Sequence, residues 1–179
     1  MIIDTEPSGR RITPLRILLA LLCGVLLIFW AYAIFFFSPN KQNVIGDKDW
    51  SKWAQENCLA TQEDRNQLAD YTRIDNDPKA LNKRATLVEK ATDGLEALIA
   101  TLDSRTPSDA KGAAIVPDWI ADYRTYIGDR RDYIQELRSG KNVVFAETAV
   151  EGVPISERLT TFADDNLMSA CAPPTDVAG

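Results

Sequence analysis

Between Ile17 and Phe37 lie twenty-one residues without a single charge, rich in Leu, Ile and Phe. The hydrocarbon core of a bilayer is about 30 Å thick, and a helix needs about 20 apolar residues to cross it. The run therefore predicts one transmembrane helix, residues 14–38. Thr13 is placed to cap its start and Pro14 suits the first helical position, where a missing N–H costs nothing; Ser38 and Pro39 end it. Trp30 and Tyr32 sit towards the far end, where amphipathic rings favour the interface. Arg10, Arg11 and Arg16 precede or open the run, whereas Lys41, Asp47, Lys48 and Asp49 beyond it are mixed in sign. The positive-inside rule makes the three arginines topology determinants and predicts a short cytoplasmic tail, residues 1–13, with everything after the helix extracytoplasmic.

A cleaved signal peptide is the rival reading, since Ala31-Tyr32-Ala33 resembles a small-residue cleavage site. Against it, a signal's apolar region runs about 7 to 15 residues, and here apolarity continues through Ile34 to Phe37. Leu22 is too large to precede a lipidated cysteine at Cys23, and Arg10-Arg11 lacks the hydrophobic pair of a twin-arginine signal.

The remaining residues suffice for one domain with its own core. The chain carries a net charge of −6, and its first sixteen residues hold three Arg against Asp4 and Glu6, so the outer part stands at −7. Such a balance argues against nucleic acid and anionic lipid as partners. The chain has no histidine, which removes the commonest general base and metal ligand but leaves carboxylate chemistry open. Neither a metal site nor a cofactor is expected. Only Cys58 and Cys171 remain outside the apolar run, and in an oxidising compartment two cysteines have one pairing. Two free buried thiols is the alternative if the topology is inverted.

In chain order, residues 39–48 read as a short polar linker, residues 49–174 as a helical bundle and 175–179 as a tail. A first outer helix begins near Asp47 or Asp49, with Trp50, Trp53, Ala54, Cys58, Thr61 and Leu68 at rough helical spacing. The next opens at Pro78, with Asp75-Asn76-Asp77 as its cap. Its Leu81, Val88, Leu95 and Leu102 recur every seven residues, flanked by Ala85, Thr92 and Ile99: a stripe wide enough to bury one face. Residues 104–112 read as a solvent loop, and Pro117 as the opening of a third helix running to Arg138.

That third helix carries Ile120, Tyr123, Ile127, Ile134 and Leu137 on a heptad seam, with Arg130 in the remaining seam position. Trp119, Tyr126 and Tyr133 form a second stripe, again seven apart. Aromatics so placed usually pack helices together and only occasionally cage a ligand. An arginine on an apolar seam must pair with a carboxylate or reach solvent along its stem, and the structural pair is the favoured reading. Arg130, Trp119, Tyr123, Tyr126 and Tyr133 are thus the candidate ion-pair or ligand contacts. Val143 to Val150 favour extended structure, and Glu151-Gly152 supplies a turn, so a short hairpin or an ordered loop fits. Ser156 is placed to cap a last helix with Leu159, Phe162, Ala163 and Leu167 inside. The fold expected is mainly α: a transmembrane helix, then an extracytoplasmic bundle of three to four helices.

Three stretches carry a likeness: Trp50 and Trp53 followed by Cys58; Trp119 to Ile127 with Asp129-Arg130; and Phe162 to Cys171. Through them the chain resembles small single-pass membrane proteins of actinobacteria, a group uncharacterised in activity. The Met168-Ser169-Ala170-Cys171 ending departs from that group's Met-Pro-Ser-Cys. The resemblance implies a cell-envelope address and says nothing of chemistry.

Catalytic patterns are thin. Ser108-Asp109-Ala110-Lys111 matches S-x-x-K, as do Ser38 and Lys41, but both fall in predicted loops without the companion motifs. Asp75-Asn76-Asp77 lacks the glycine and closing glutamate of a calcium loop. Asp164 and Asp165 are adjacent, so a helix points them apart. The chain is therefore expected not to be an enzyme. The leading expectation is a membrane-anchored interaction or accessory protein for another envelope or membrane protein. The second is a ligand-binding or sensing module using Arg130 and the tyrosines around a cavity; an enzyme working by carboxylates alone comes third.

Overall fold

The computed structural model describes residues 13–36, 43–68 and 77–176, in two compact units that divide at Lys41. Arg10, Arg11, Ser38, Pro39, Asp75 and Asn76 lie outside the described residues. The first unit is helix α1 (Pro14–Phe36), which begins at the proline that the missing donor suits. It is long and apolar enough to cross a membrane, and none of the apolar stretch Pro14–Tyr32 is buried within the protein.

The second unit is mainly helical: α2 (Lys48–Asn66), α3 (Pro78–Asp103), α4 (Ala110–Arg138) and α5 (Ile155–Asp165), with a two-residue hairpin, β1 (Ala149–Val150) and β2 (Val153–Pro154), and a 3-10 turn, Ser169–Cys171. Glu151 and Gly152 make the hairpin turn with φ of 54° and 81°.

Helices α3 and α4 form the largest helix pair. Arg124 pairs with Asp103, Arg131 with Asp93 and Glu96, and Arg138 with Glu89, so partners descend α3 as they ascend α4 and the helices are antiparallel. The heptad stripe of α3 is buried throughout, Leu81, Ala85, Val88, Thr92, Leu95, Ile99 and Leu102 alike. One end of the pair, Leu81, Ala85, Val88, Ile134 and Leu137, forms a small separate core. The main core joins the other end to Trp50, Ala54, Leu159, Phe162 and Met168. Phe145 packs against both cores. Cys58 on α2 is bonded to Cys171 of the 3-10 turn, 113 residues on, across a Cα separation of 5.1 Å that suits a disulfide.

Several boundaries differ from the sequence expectations, each for a local reason. Helix α4 starts at Ala110, seven residues before Pro117, because the Asp109 carboxylate caps it by accepting from the Gly112 N–H at 2.8 Å. Pro117 therefore lies inside the helix, exposed, where water can meet the carbonyl its ring leaves without a donor. Gly112 is required there: a Cβ would lie 2.7 Å from the Asp109 carboxylate and 2.8 Å from Pro107. Ser156 is not the cap of α5; it sits in the first turn, and Glu147 reaches in to accept from its N–H (2.8 Å) and its Oγ (2.9 Å). Leu68 lies in a turn past the end of α2, and Leu167 past the end of α5 is exposed, with φ of 59°. The stretch read as linker includes Ile45, fully buried and held by its N–H on the Asn166 side chain at 2.9 Å. Asn166 is itself buried and donates to the carbonyls of Asn43 and Phe162, so all its polar atoms are used.

Candidate functional site

Two regions of the second unit gather chemistry. The first surrounds Arg130, which α4 places on its buried seam with no exposed surface. Its Nη1 and Nη2 donate to the two carboxylate oxygens of Asp176 at 2.7 and 2.8 Å, and its Nε donates to the Thr92 hydroxyl at 2.9 Å. The guanidinium carbon also lies 5.8 Å from the centre of the Tyr126 ring. Burial alone pushes this arginine down, but the paired carboxylate outweighs it and holds the group above its ordinary value. Thr92 in turn donates to the Val88 carbonyl at 2.6 Å, so the hydroxyl's lone pairs are presented to the guanidinium.

The tyrosines of the same face bind backbone. Tyr123 donates to the Cys171 carbonyl and Tyr126 to the Pro174 carbonyl, the latter at 3.1 Å. Burial pushes both phenols up, which keeps them protonated as donors. Together with Arg130 they hold residues 171–176 as a strap across the bundle, and the disulfide anchors its near end. Tyr133, half-buried, meets Phe145 edge to face with ring centres 5.7 Å apart and borders the cluster without bonding the strap: burial pushes its phenol up, and the Asp176 carboxylate adds to that. Trp119 borders the cluster, meeting Tyr123 edge to face with ring centres 5.2 Å apart, but its other contacts lead away from it: it stacks on Phe162 at 5.0 Å and donates to the Leu159 carbonyl at 3.3 Å.

Trp119 belongs to the second region, a cleft of about 380 Å³ between α4 and α5 whose walls include Asp118, Trp119, Asp122, Glu157, Arg158 and Phe162. Arg158 is bound to Asp122 through two nitrogens at 2.9 and 3.1 Å, leaving Asp118 and Glu157 as the exposed charges. The five candidates from the sequence thus divide: Arg130, Tyr123 and Tyr126 bond the strap directly, Trp119 packs on Tyr123 and lines the cleft, and Tyr133 lies within electrostatic reach of Asp176 and packs on Phe145.

Asp176 and Arg65 are the residues that sequence reasoning did not bring forward. Asp176 stood in a small polar tail, where no periodicity marks it; the unpaired seam arginine was the signal that some carboxylate had to arrive. Arg65 follows the weakly apolar middle of α2 and looks like a surface charge, yet it is buried. Ser108, the serine of the S-x-x-K match, gives its N–H and hydroxyl to Asp47, at 2.8 and 2.7 Å. No family model matches the chain, and neither a curated protein nor a solved structure is significantly similar to it.

Proposed function

We propose that the chain is a single-pass membrane protein, N-terminus cytoplasmic, whose extracytoplasmic helical domain docks a basic segment of another membrane or envelope protein in the cleft between α4 and α5. The cleft is the observation that carries this reading. Its floor is formed by the buried Trp119 and Phe162 rings and its charged wall by the exposed carboxylates of Asp118 and Glu157, on a domain whose overall charge is strongly negative. Such a surface attracts and orients a cationic partner more than it supplies raw affinity. The apolar, unburied α1 and the arginines before it support the anchor and its orientation.

The reading that makes Arg130 and the tyrosines a ligand site has less support, because those groups are already engaged by the strap. A photo-crosslinking residue placed at the exposed Thr161 in the cleft wall, in cells, tests the proposal. The expected result is one defined adduct that disappears in the Asp118→Lys, Glu157→Lys double variant and is not formed from a crosslinker at the exposed Lys141, past the end of α4 and outside the cleft's lining. A protein that purifies alone from native membranes, without adduct, contradicts it.

A further inference from the structure

Arg65, near the end of α2, is only 8% exposed, and its Nη1 is buried with no hydrogen-bond partner among the described residues. A buried guanidinium nitrogen without an acceptor is costly, since it has left water and gained no compensating bond. The carboxylate that lines the same recess, Asp176, is bidentate to Arg130 through both oxygens. Among the described residues two buried arginines therefore lie beside one carboxylate, and one positive charge remains over.

Beside Arg65 the strap roofs a recess of about 190 Å³. Its other polar side chains are Gln62, Asn66, Ser169 and Thr175, which are neutral and carry N–H or O–H donors. With both Asp176 oxygens already taken by Arg130, a planar guanidinium beside these neutral donors matches the oxygens of a carboxylate or phosphate. The recess is smaller than the roughly 300 Å³ from which drug-sized pockets begin, which limits the occupant to a small group. Neighbouring Arg130 shows the same preference, holding an oxyanion, the strap's own carboxylate, in the two-pronged geometry.

We propose that this recess is a binding site for a small phosphate-type oxyanion, with Arg65 as its charged anchor. Occupancy compensates the buried charge and ties α2 to the strap, so binding and folding are linked.

The test is thermal unfolding of the full chain in a neutral detergent micelle, with inorganic phosphate titrated against sodium chloride at matched ionic strength. Phosphate strengthens burial in any protein, so the parent is compared with Arg65→Met, which shares that general effect. The parent should show a saturable rise in Tm with phosphate, and Arg65→Met should lose the saturable part while being no less stable without phosphate, because an uncompensated buried charge has been removed. Arg65→Lys keeps the charge and loses the fork, and should respond only at higher phosphate. Replacing neutral lipid by phosphatidylglycerol in the micelle distinguishes a lipid headgroup from free phosphate: a rise seen with that lipid alone, and lost in Arg65→Met, assigns the same site to the headgroup. Equal responses of parent and Arg65→Met to both phosphate and lipid would overturn the proposal.

Discussion

Asp47 and Asp109 each cap their own helix with one carboxylate oxygen and hold the other's turn with the second. Asp47 accepts from the Trp50 N–H at 2.8 Å to start α2, and its other oxygen takes the N–H and hydroxyl of Ser108. Asp109 accepts from the Gly112 N–H to start α4, and its other oxygen takes the N–H of Asp47 at 2.8 Å. The reciprocal arrangement locks the entry of the domain to the α3–α4 connection, 62 residues on.

These bonds pull both acids down, Asp47 from its ordinary 3.8 to about 2, chiefly through the Ser108 and Trp50 N–H groups, and Asp109 chiefly through that of Gly112. A carboxylate lowered in the folded state binds its proton first in the unfolded chain, so its stabilisation is present above about pH 4 and lost as pH falls towards 2. Urea unfolding of the full chain between pH 5 and pH 2 should lose stability across that window, with a shallower fall in the Asp47→Asn, Asp109→Asn double variant. Superimposable profiles would refute the pair's role. At neutral pH the two Ala variants should be non-additive, the second costing less once the first is made.

Arg130→Ala removes packing and takes from the Asp176 carboxylate its two-pronged partner. Breaking a buried pair typically costs about 3 to 5 kcal/mol. Thermal unfolding of the full chain in detergent should show a loss of that size, whereas Arg130→Met, combined with Asp176→Asn, should recover a large part of it. A loss under about 1 kcal/mol from Arg130→Ala would place the group among weak surface pairs and reject the account of the strap.

Tyr123→Phe deletes the donor to the Cys171 carbonyl and changes little else, so its cost is that of one buried acceptor left unpaired, about 1 to 3 kcal/mol. Tyr133→Phe should be nearly silent, since that ring is half-buried and its contact with Phe145 needs no hydroxyl. Equal effects from the two variants would contradict the division made between them.

Periodicity made the helices legible. The stripes Leu81 to Leu102 and Ile120 to Leu137 are buried as their spacing implies, because a bundle selects helical faces chiefly by apolarity and carries Thr92 and Arg130 in with them. Where the structure departs from the sequence reading, a short polar side chain decides, as Asp109 does against Pro117 and Glu147 does against Ser156. Such caps compete within a few residues, and sequence cannot say which carboxylate will be near. The site was half legible: Arg130 on an apolar seam announced a missing partner, but Asp176 arrives from 46 residues away through tertiary packing, and Arg65 sits among Glu63, Asp64 and Asn66, although its spacing from Cys58, Thr61 and Leu68 puts it on the inner face.

The Cys58–Cys171 bond closes a loop of over a hundred residues, which in the chain-entropy view stabilises by about 4 to 5 kcal/mol. Non-reducing mass spectrometry of the chain from native membranes should yield one peptide pair holding both cysteines, and reduction should lower Tm and loosen the strap. Two free thiols in that material would refute the bond.

The proposed anchoring and orientation are tested most directly by reporter fusions in living cells. Alkaline phosphatase fused after Gly179, which matures only outside the cytoplasm, should be active, and green fluorescent protein at the same point, exported unfolded, should be dark. The reverse pattern, fluorescence without phosphatase activity, would put the helical domain in the cytoplasm and contradict the envelope role proposed for the cleft.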